Sequence, residues 1–555
     1  MKRVAIGIAA CFAATSVQAK ERKVDFNVPP GPLNAAIPAL GQQAGITIGS
    51  GDPLLGSTRT RGVSGHLTIP AALTRMLAGT GFTFIPISAN AVRIERSTPV
   101  VRGDRPRPMW KAQETAALSL GDITVTASKQ STSLSRFAGT VRFVDVGDPA
   151  NARSGARGTE LLLDRLPMLA STNLGPGRNK LYIRGIADSS FNGPSQSIVG
   201  QYLGDIRLTF NAPDPDLQLY DMKRVEVLEG PQGTLYGSGA LGGILRLIPN
   251  EPDPRAFSGA LSTGGLVTQH GGTGGDIAAT GNLPLVADRL ALRVVGYGSR
   301  SPGYINDIGL GRSNVNRTTI YGGRATTRWD AGNGWAVDLG GLIQFIHGRD
   351  GQYAMAGLPP LTRRSYLAQP FHNDYKLGHL VIRKRWGDVE FVSATGVVEH
   401  DVSADFDATD PRQSPVRQIF LERTAVRMIS NETHLSRSGP NGDGWVAGMS
   451  IVHDTDRLSR HFGAVSNPPP IAGVRNETTE AALFGQFGYA ITDTLVATVG
   501  GRLTFADTTG LSVDTRSDHM EPRRRELRLT PTAGIAWRGL TGTTLFVRYQ
   551  QGYRA

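Results

Sequence analysis

The stretch Arg224–Gly243 reads RVEVLEGPQGTLYGSGALGG, the densest part of a longer segment from Tyr182 to Asn250. Val225 and Val227 alternate with charge as in a strand, Gly230-Pro231 marks a turn, and five further glycines precede the strand-like ILRLIP. So much glycine permits tight turns and close backbone approach. A glycine-rich loop between strands is one way to cradle a phosphate, but no GK[ST] or GxGxxG opens a helix here, which argues against nucleotide binding. Taken by themselves, these residues describe a compact, loop-rich domain.

Three signatures in the segment follow one another: YIRGI at Tyr182–Ile186, RVEVLEGPQGTLYG at Arg224–Gly237, and the GALGG run behind it. In that order they resemble the plug domain of TonB-dependent outer-membrane receptors. The resemblance implies a mostly β chain: a transmembrane antiparallel β-barrel, about 22 strands when whole, around an internal α/β plug. It implies plug-motif roles for Arg184, Gly185, Glu226, Glu229, Gly230, Pro231, Tyr236 and Gly237. Arg184 and Glu226 are expected to hold the plug, with Arg184 pairing with acidic wall residues. Many members carry Arg where this chain has Glu229, which removes the usual basic wall contact at that position.

Composition points the same way. A chain of 555 residues exceeds one ordinary core, and 69 Gly with 33 Pro but 7% aromatics suggest many turns and short strands. The formal charge of +12 falls to +10 without Lys2 and Arg3, and the basic residues are scattered, which argues against nucleic acid. Such a surface is simply solvated, or meets lipopolysaccharide phosphates or an anionic ligand.

Residues 1–19 read as a signal peptide: Lys2-Arg3, an apolar run Val4–Thr15, and Val17-Gln18-Ala19 before the cut. The rival reading is a lipobox, Ile8-Ala9-Ala10-Cys11. If Cys11 leaves with the signal, the mature chain has no thiol chemistry. No later stretch is long and apolar enough for a membrane helix. No nucleophile, base and orienter share a motif, so neither a catalytic site nor a metal site nor a cofactor is expected, and the chain reads as a non-enzyme.

Residues 20–96 repeat one pattern. FNVPPGPLNAAIPALGQQAGITIG predicts strand, helix, a stop at Gly45 and strand, with Leu33, Ala36, Ile37 and Leu40 on one helix face; the next repeat places Ala72, Leu73, Met76 and Leu77 likewise and stops at Gly79. This resembles the short N-terminal domain shared by secretins and TonB-dependent transducers, which implies a periplasmic location and an inner-membrane anti-sigma regulator as partner. Residues 97–120 read as a linker stiffened by Arg-Pro-Arg-Pro. Then Asp122, Ile123, Thr124, Val125, Thr126 and Ala127, within 121–127, form a β-prone run that is either the first plug strand or, by position and similarity, the TonB box. An extended segment of this kind can add to a sheet edge of TonB through main-chain bonds. The plug is expected over 128–254.

Over 255–555 the texture is that of a barrel. Trp335, Val337, Leu339, Ile343 and Phe345 alternate with Asp338 and Gln344; Leu495, Ala497, Val499, Leu503 and Phe505 alternate with Thr498, Arg502 and Thr504. One face is expected to meet lipid and the other a polar lumen. Short turns near 284–288, 330–334, 386–388, 438–444, 491–494 and 539–543 take turns with longer links near 301–316, 349–369, 401–416, 458–474 and 508–526, the asymmetry of periplasmic turns and extracellular loops. About thirteen strands are expected, a partial barrel in a chain read as C-terminally incomplete.

The resemblance implies active import of a scarce nutrient across the outer membrane, by way of TonB. A signalling domain points to a ferric siderophore or ferric citrate, with iron arriving only as a bound chelate, though other bulky nutrients use the same plug. Arg349, Tyr353, Arg363, Arg364, Tyr366 and His372 offer cations and aromatics suited to an anionic chelate. The alternatives are a secretin-like assembly component, or a truncated, transport-inactive remnant.

Overall fold

The computed structural model describes residues 23–49, 57–88, 91–96, 124–130, 132–133, 137–146, 155–187, 195–211, 213–412, 416–439, 442–513, 522–540 and 543–554. The signal peptide, the linker, Asp122 and Ile123 lie outside the described residues. The chain divides into two compact units, Met1–Glu114 and Thr115–Ala555.

The first unit carries the strand–helix–strand repeat. Lys23–Val28 pairs antiparallel with Val63–Thr68, and Thr47–Gly49 pairs parallel with Ala91–Arg96, which also pairs with Phe82–Ser88. The helix Leu33–Ala44 stops where Gly45 turns left-handed at φ +68° and its N–H bonds the Gly41 carbonyl. The helix Ile69–Leu77 has proline in its first turn, where the missing N–H has no intrahelical partner to lose. Both predicted helix faces close on one apolar core with Phe26, Val28 and Ile94.

The second unit is a plug inside a wall. The plug sheet runs in the order Val141–Val144, Met222–Glu229, Gly243–Pro249, Val199–Leu203, Ile206–Arg207, and only Gly243–Pro249 with Val199–Leu203 is parallel. The wall is a thirteen-stranded antiparallel sheet from Ser258–Val267 to Thr543–Gln550, each long strand paired with the next in sequence. Those two strands are its edges among the described residues.

Period-two alternation sets which way each wall residue faces. Leu339 and Ile343 are 61% and 49% exposed on the outside, whereas Asp338, Leu342 and Gln344 are buried. The expected polar lumen needs correction: Leu342, Tyr375, Leu377, Val398, Met428 and Val452 face inward and join the plug core of Leu203, Ile206 and Leu208. A filled lumen excludes water, so apolar inner residues gain by burial there. Two of the expected long links are also shorter, because Val389–Asp407 and Gln418–Ser438 run to within ten residues of each other and Gly444–Ala464 and Pro470–Thr492 to within five. These strands have 19 to 23 residues, against the roughly 9–11 that cross a bilayer. Their far ends therefore stand clear of the hydrocarbon as paired ribbon.

The first unit tests its own packing. Leu73 is fully buried, so Leu73→Ala should cost about 2–5 kcal/mol, read as a lower urea midpoint for residues 20–96; an unchanged midpoint would show that this helix face is not its core.

Candidate functional site

Glu226 occupies the middle of Met222–Glu229 and is 0% exposed. Alternation sends Val225 and Val227 to one face of the strand and Glu226 to the other, opposite Arg246 in the ladder. The carboxylate accepts from Arg224 Nη2 at 2.6 Å, from Thr126 Oγ1 at 3.0 Å and from the Ala127 N–H at 3.0 Å, with Arg246 Nη1 at 3.7 Å. A buried charge needs this full a shell. Arg246 in turn donates to Thr126 Oγ1 and pairs with Asp205 at 2.5 Å. Burial disfavours its charge, but Asp205, Tyr236 and Glu226 outweigh that and raise its pKa.

The predicted TonB box therefore ends inside the plug. Thr124–Val125 pairs with Thr132–Ser133. Val125 and Ala127 have no exposed surface and pack with Leu228, Leu235, Tyr236 and Ile244, while Tyr236 Oη donates to the Ala127 carbonyl at 2.7 Å. Two residues on, Lys129 Nζ lies 2.5 Å from Glu432 on the wall strand Gln418–Ser438, over the rings of Tyr236 and Phe484. Burial pushes Lys129 down to about 8, against the pull of Glu432.

The remaining plug motifs shape this seat. Gly230-Pro231 makes the turn, with the Gly230 N–H on the Gly242 carbonyl. Gly237 has φ +74° and ψ −145°, a conformation that L side chains rarely adopt, and a Cβ there would also crowd the Arg502 guanidinium of the wall at 2.8 Å. Glu229 pairs with Arg142 at 3.2 Å within the plug. Arg184 departs from expectation. It stands in a left-handed turn with Gly185, φ +55° and +72°, is exposed, and has no ion pair among the described residues. The turn aims it out of the sheet, so the plug–wall pairing assigned to it falls to other residues.

Those residues are Asp205, which bridges Arg246 and the wall Arg383 at 2.8 Å, and Asp221, which meets the wall Arg293 at 2.5 Å and Arg324 at 3.5 Å. Burial raises the Asp205 pKa, but Arg246 and Arg383 reverse that and hold it well below the carboxylate range. Side-chain amides fill the gaps: Asn211 Nδ2 donates to Asp454 and Asp456 at 2.9 and 2.8 Å, and Gln344 Nε2 to the Pro215 and Asp216 carbonyls at 3.0 Å.

On the long-loop side, a crevice of about 670 Å³ lies between plug and wall. The plug contributes Arg157, Glu160, Asn173 and Asn179, and the wall and its loops Asp276, Tyr304, Asn316 and Gln352. None of the six residues expected to bind ligand lines it. Arg363 is fully buried, paired with Asp307 at 2.9 Å and with Asp350, and stacked on Tyr353; it braces the loop. Burial raises the Asp307 pKa, but bonds from Ser365, Leu310 and Arg363 bring it below the usual value. Tyr353, Arg364 and Tyr366 are exposed on the same loop. His372 shares the phase of the outward-facing Lys376 and pairs with His347, so alternation turns it, and with it Arg349, away from the lumen. The crevice residues were missed, although the turn-forming run NLGPGRN at 173–179, just before YIRGI, carried the signal.

The stowed segment depends on one carboxylate. Glu226→Ala should cost about 3–5 kcal/mol by removing a buried carboxylate from Arg224, Arg246, Thr126 and the Ala127 N–H, and should speed tryptic cleavage after Lys129 at least tenfold; an unchanged cleavage rate would show that the segment is held by other contacts.

Comparison with known proteins places this architecture. Residues 144–244 match the TonB-dependent receptor plug domain and residues 255–555 the TonB-dependent receptor-like β-barrel. The pesticin receptor of Yersinia pestis is 32% identical over 174 residues, 30% of this chain and 24% of that one; the ferripyoverdine receptor of Pseudomonas aeruginosa is 25% identical over 256 residues, 45% and 30% of the two chains. Among solved structures, the ferric yersiniabactin uptake receptor of Yersinia pestis superposes with a TM-score of 0.64 at 16% identity, over 77% of this chain and 67% of that one. The ferripyoverdine-bound outer-membrane receptor of Pseudomonas aeruginosa gives 0.58 at 16%, over 95% and 70%. The aligned stretch is thus about a quarter of the pesticin receptor's length, and about two thirds of the solved neighbours'. Plug and barrel both match, the barrel over more than half of the sequence, and the chain belongs to the TonB-dependent receptor family of the bacterial outer membrane.

Proposed function

We propose that this chain takes up a ferric chelate, a siderophore or citrate complex, across the outer membrane, with energy delivered by TonB to residues 122–127. The carrying observation is the stowed segment. Thr126 and Ala127 are held by Glu226, and Lys129 just beyond them is bolted to the wall by Glu432. A pull on this segment acts at once on the plug core and on a plug–wall ion pair, which is what a force-gated import path requires. To add as a strand to TonB, the segment must first leave Glu226.

The substrate class rests on the relatives, whose names are those of receptors for ferripyoverdine and for ferric enterobactin. The crevice adds a chemical argument: amide, carboxylate and guanidinium groups beside Tyr304 suit a polar, oxygen-rich chelate. Iron is cargo here, and no resident cofactor or catalytic step belongs to the proposal. The N-terminal unit, with its own core, is proposed to hang in the periplasm and carry the ligand signal to an inner-membrane anti-sigma regulator. The overlap with the ferripyoverdine receptor covers 95% of this chain, too large a share to omit that unit.

Val125→Pro removes a backbone donor and fixes φ. In cells offered ferric catecholate, hydroxamate and citrate complexes, it should cut uptake of the transported chelate at least tenfold while surface binding at 4 °C stays within twofold. Undiminished uptake would overturn the TonB assignment, whereas uptake of none of the three by the unmodified chain would overturn the substrate class.

A further inference from the structure

On the outer face of the wall, Arg300, Arg317 and Arg349 have no acidic partner among the described residues. The register shows how they meet. Gly298 lies opposite Tyr321, and Tyr321 opposite Phe345. Tyr321 is 43% exposed and stacks on Phe345 at 5.1 Å, which makes these columns outward-facing. Two residues further toward the long loops, Arg300 lies opposite Thr319 and Thr319 opposite His347, on the same face. Beyond them Arg317 and Arg349 continue that ladder, the Arg349 N–H bonding the Arg317 carbonyl at 2.8 Å.

The cluster is repulsive as it stands. Burial and then the charges of Arg300 and Arg349 lower the pKa of Arg317, and its Nε is a buried donor without an acceptor. No ion pair reaches Arg300, Arg317 or Arg349 among the described residues. The nearby carboxylate on this face, Asp374, faces His347 at 3.6 Å. A few strands along the same face the pattern is different: Lys376 pairs with Glu399, Arg427 with Glu399 and Asp401, and Arg423 with Asp405 at 2.6 Å. Those cations are neutralised within the wall, and the three arginines are not.

What lies beneath them names the occupant. The same columns continue into Tyr321, Phe345 and Ile343, and beside them Ile277 is 55% exposed. In the strands Leu290–Ser301, Thr318–Gly332 and Trp335–Gly348 this outward row is the apolar band of a lipid-facing wall, ending in an aromatic pair where hydrocarbon gives way to headgroup. A ligand that spans both zones has acyl chains below and an anion above, at headgroup height. Phosphate fits several guanidinium groups through paired N–H···O bonds, better than it fits ammonium. We propose that Arg300, Arg317 and Arg349 form a docking site for the phosphate headgroup of an outer-leaflet lipid, with Tyr321 and Phe345 bordering its acyl chains.

The full chain in dodecyl maltoside micelles is titrated with diphosphorylated lipid A and with the same glycolipid stripped of its phosphates, and bound lipid is counted by native mass spectrometry. The unmodified chain should hold diphosphorylated lipid A at least tenfold more tightly than the stripped form. Arg300→Gln/Arg317→Gln/Arg349→Gln should lose that tenfold, and Lys376→Gln, which removes a paired cation nearby, should stay within twofold. Equal binding of the two lipids, equal binding by the triple variant, or an equal loss with Lys376→Gln would each overturn the site. Full displacement of lipid A by millimolar inorganic phosphate would also overturn it, because the anchor would then be a free-anion site. Should the triple variant lose its β-sheet circular dichroism, the single variants decide: each should weaken lipid A about threefold, and single variants that bind like the unmodified chain would refute the proposal.

Discussion

Hydrocarbon supplies no hydrogen-bond partner, so every peptide group that crosses it must be satisfied inside the protein. The wall meets this demand with long, continuous ladders; Gln418–Ser438 and Gly444–Ala464 pair over their whole lengths without a shift in register. Unbroken register makes the alternation of side chains strict, and a strict alternation divides each strand into a lipid-facing and a plug-facing row. Everything else in the second unit follows from what the inner row meets.

What it meets is a filled interior, part apolar and part ionic. Val392, Val398 and Met428 continue the plug core across the seam. Around them sit Asp205 with Arg246 and Arg383, Asp221 with Arg293, and Lys129 with Glu432. Buried pairs of this kind add little net stability, because desolvation offsets most of the attraction, yet removing one partner is costly. They define where the plug sits more than how tightly it sits. A seam built from polar pairs can exchange them for water as the plug moves, which an entirely apolar seam cannot do without exposing hydrophobic surface. In the outer row of the strands that carry Arg300 and Arg317, charge lies beyond the aromatic pair Tyr321 and Phe345, whereas Lys376 of the next strand, opposite Ile343, is paired with Glu399.

Much of this was legible in one dimension. Local pattern decides local structure, so the helix faces of the first unit, the Gly45 stop, the count of wall strands and most of the alternation of short and long connections could be read from residue types and spacing, the five-residue link 465–469 being the exception. The plug motifs were legible as motifs, since glycine at Gly237 answers to a backbone angle that few other residues accept. Their partners were not. Arg184 and Glu226 look equivalent in the sequence, each a charge within a motif; one turned out exposed in a left-handed turn and the other buried in a strand among Arg224, Thr126 and Ala127.

The difference is one of range. A period, a turn or a cap is fixed by residues a few positions apart, and the sequence by itself determined those: a βαβ-repeat unit, a glycine-rich plug, and an antiparallel wall. Burial and pairing depend on residues brought together from far along the chain, such as Lys129 and Glu432 or Asn211 and Asp456. Only the tertiary structure decided that Arg363 is a buried brace, that His372 faces outward, and that Thr126 and Ala127 are stowed. A side chain's charge is written at its own position, but the partner that gives that charge a role is chosen by the fold.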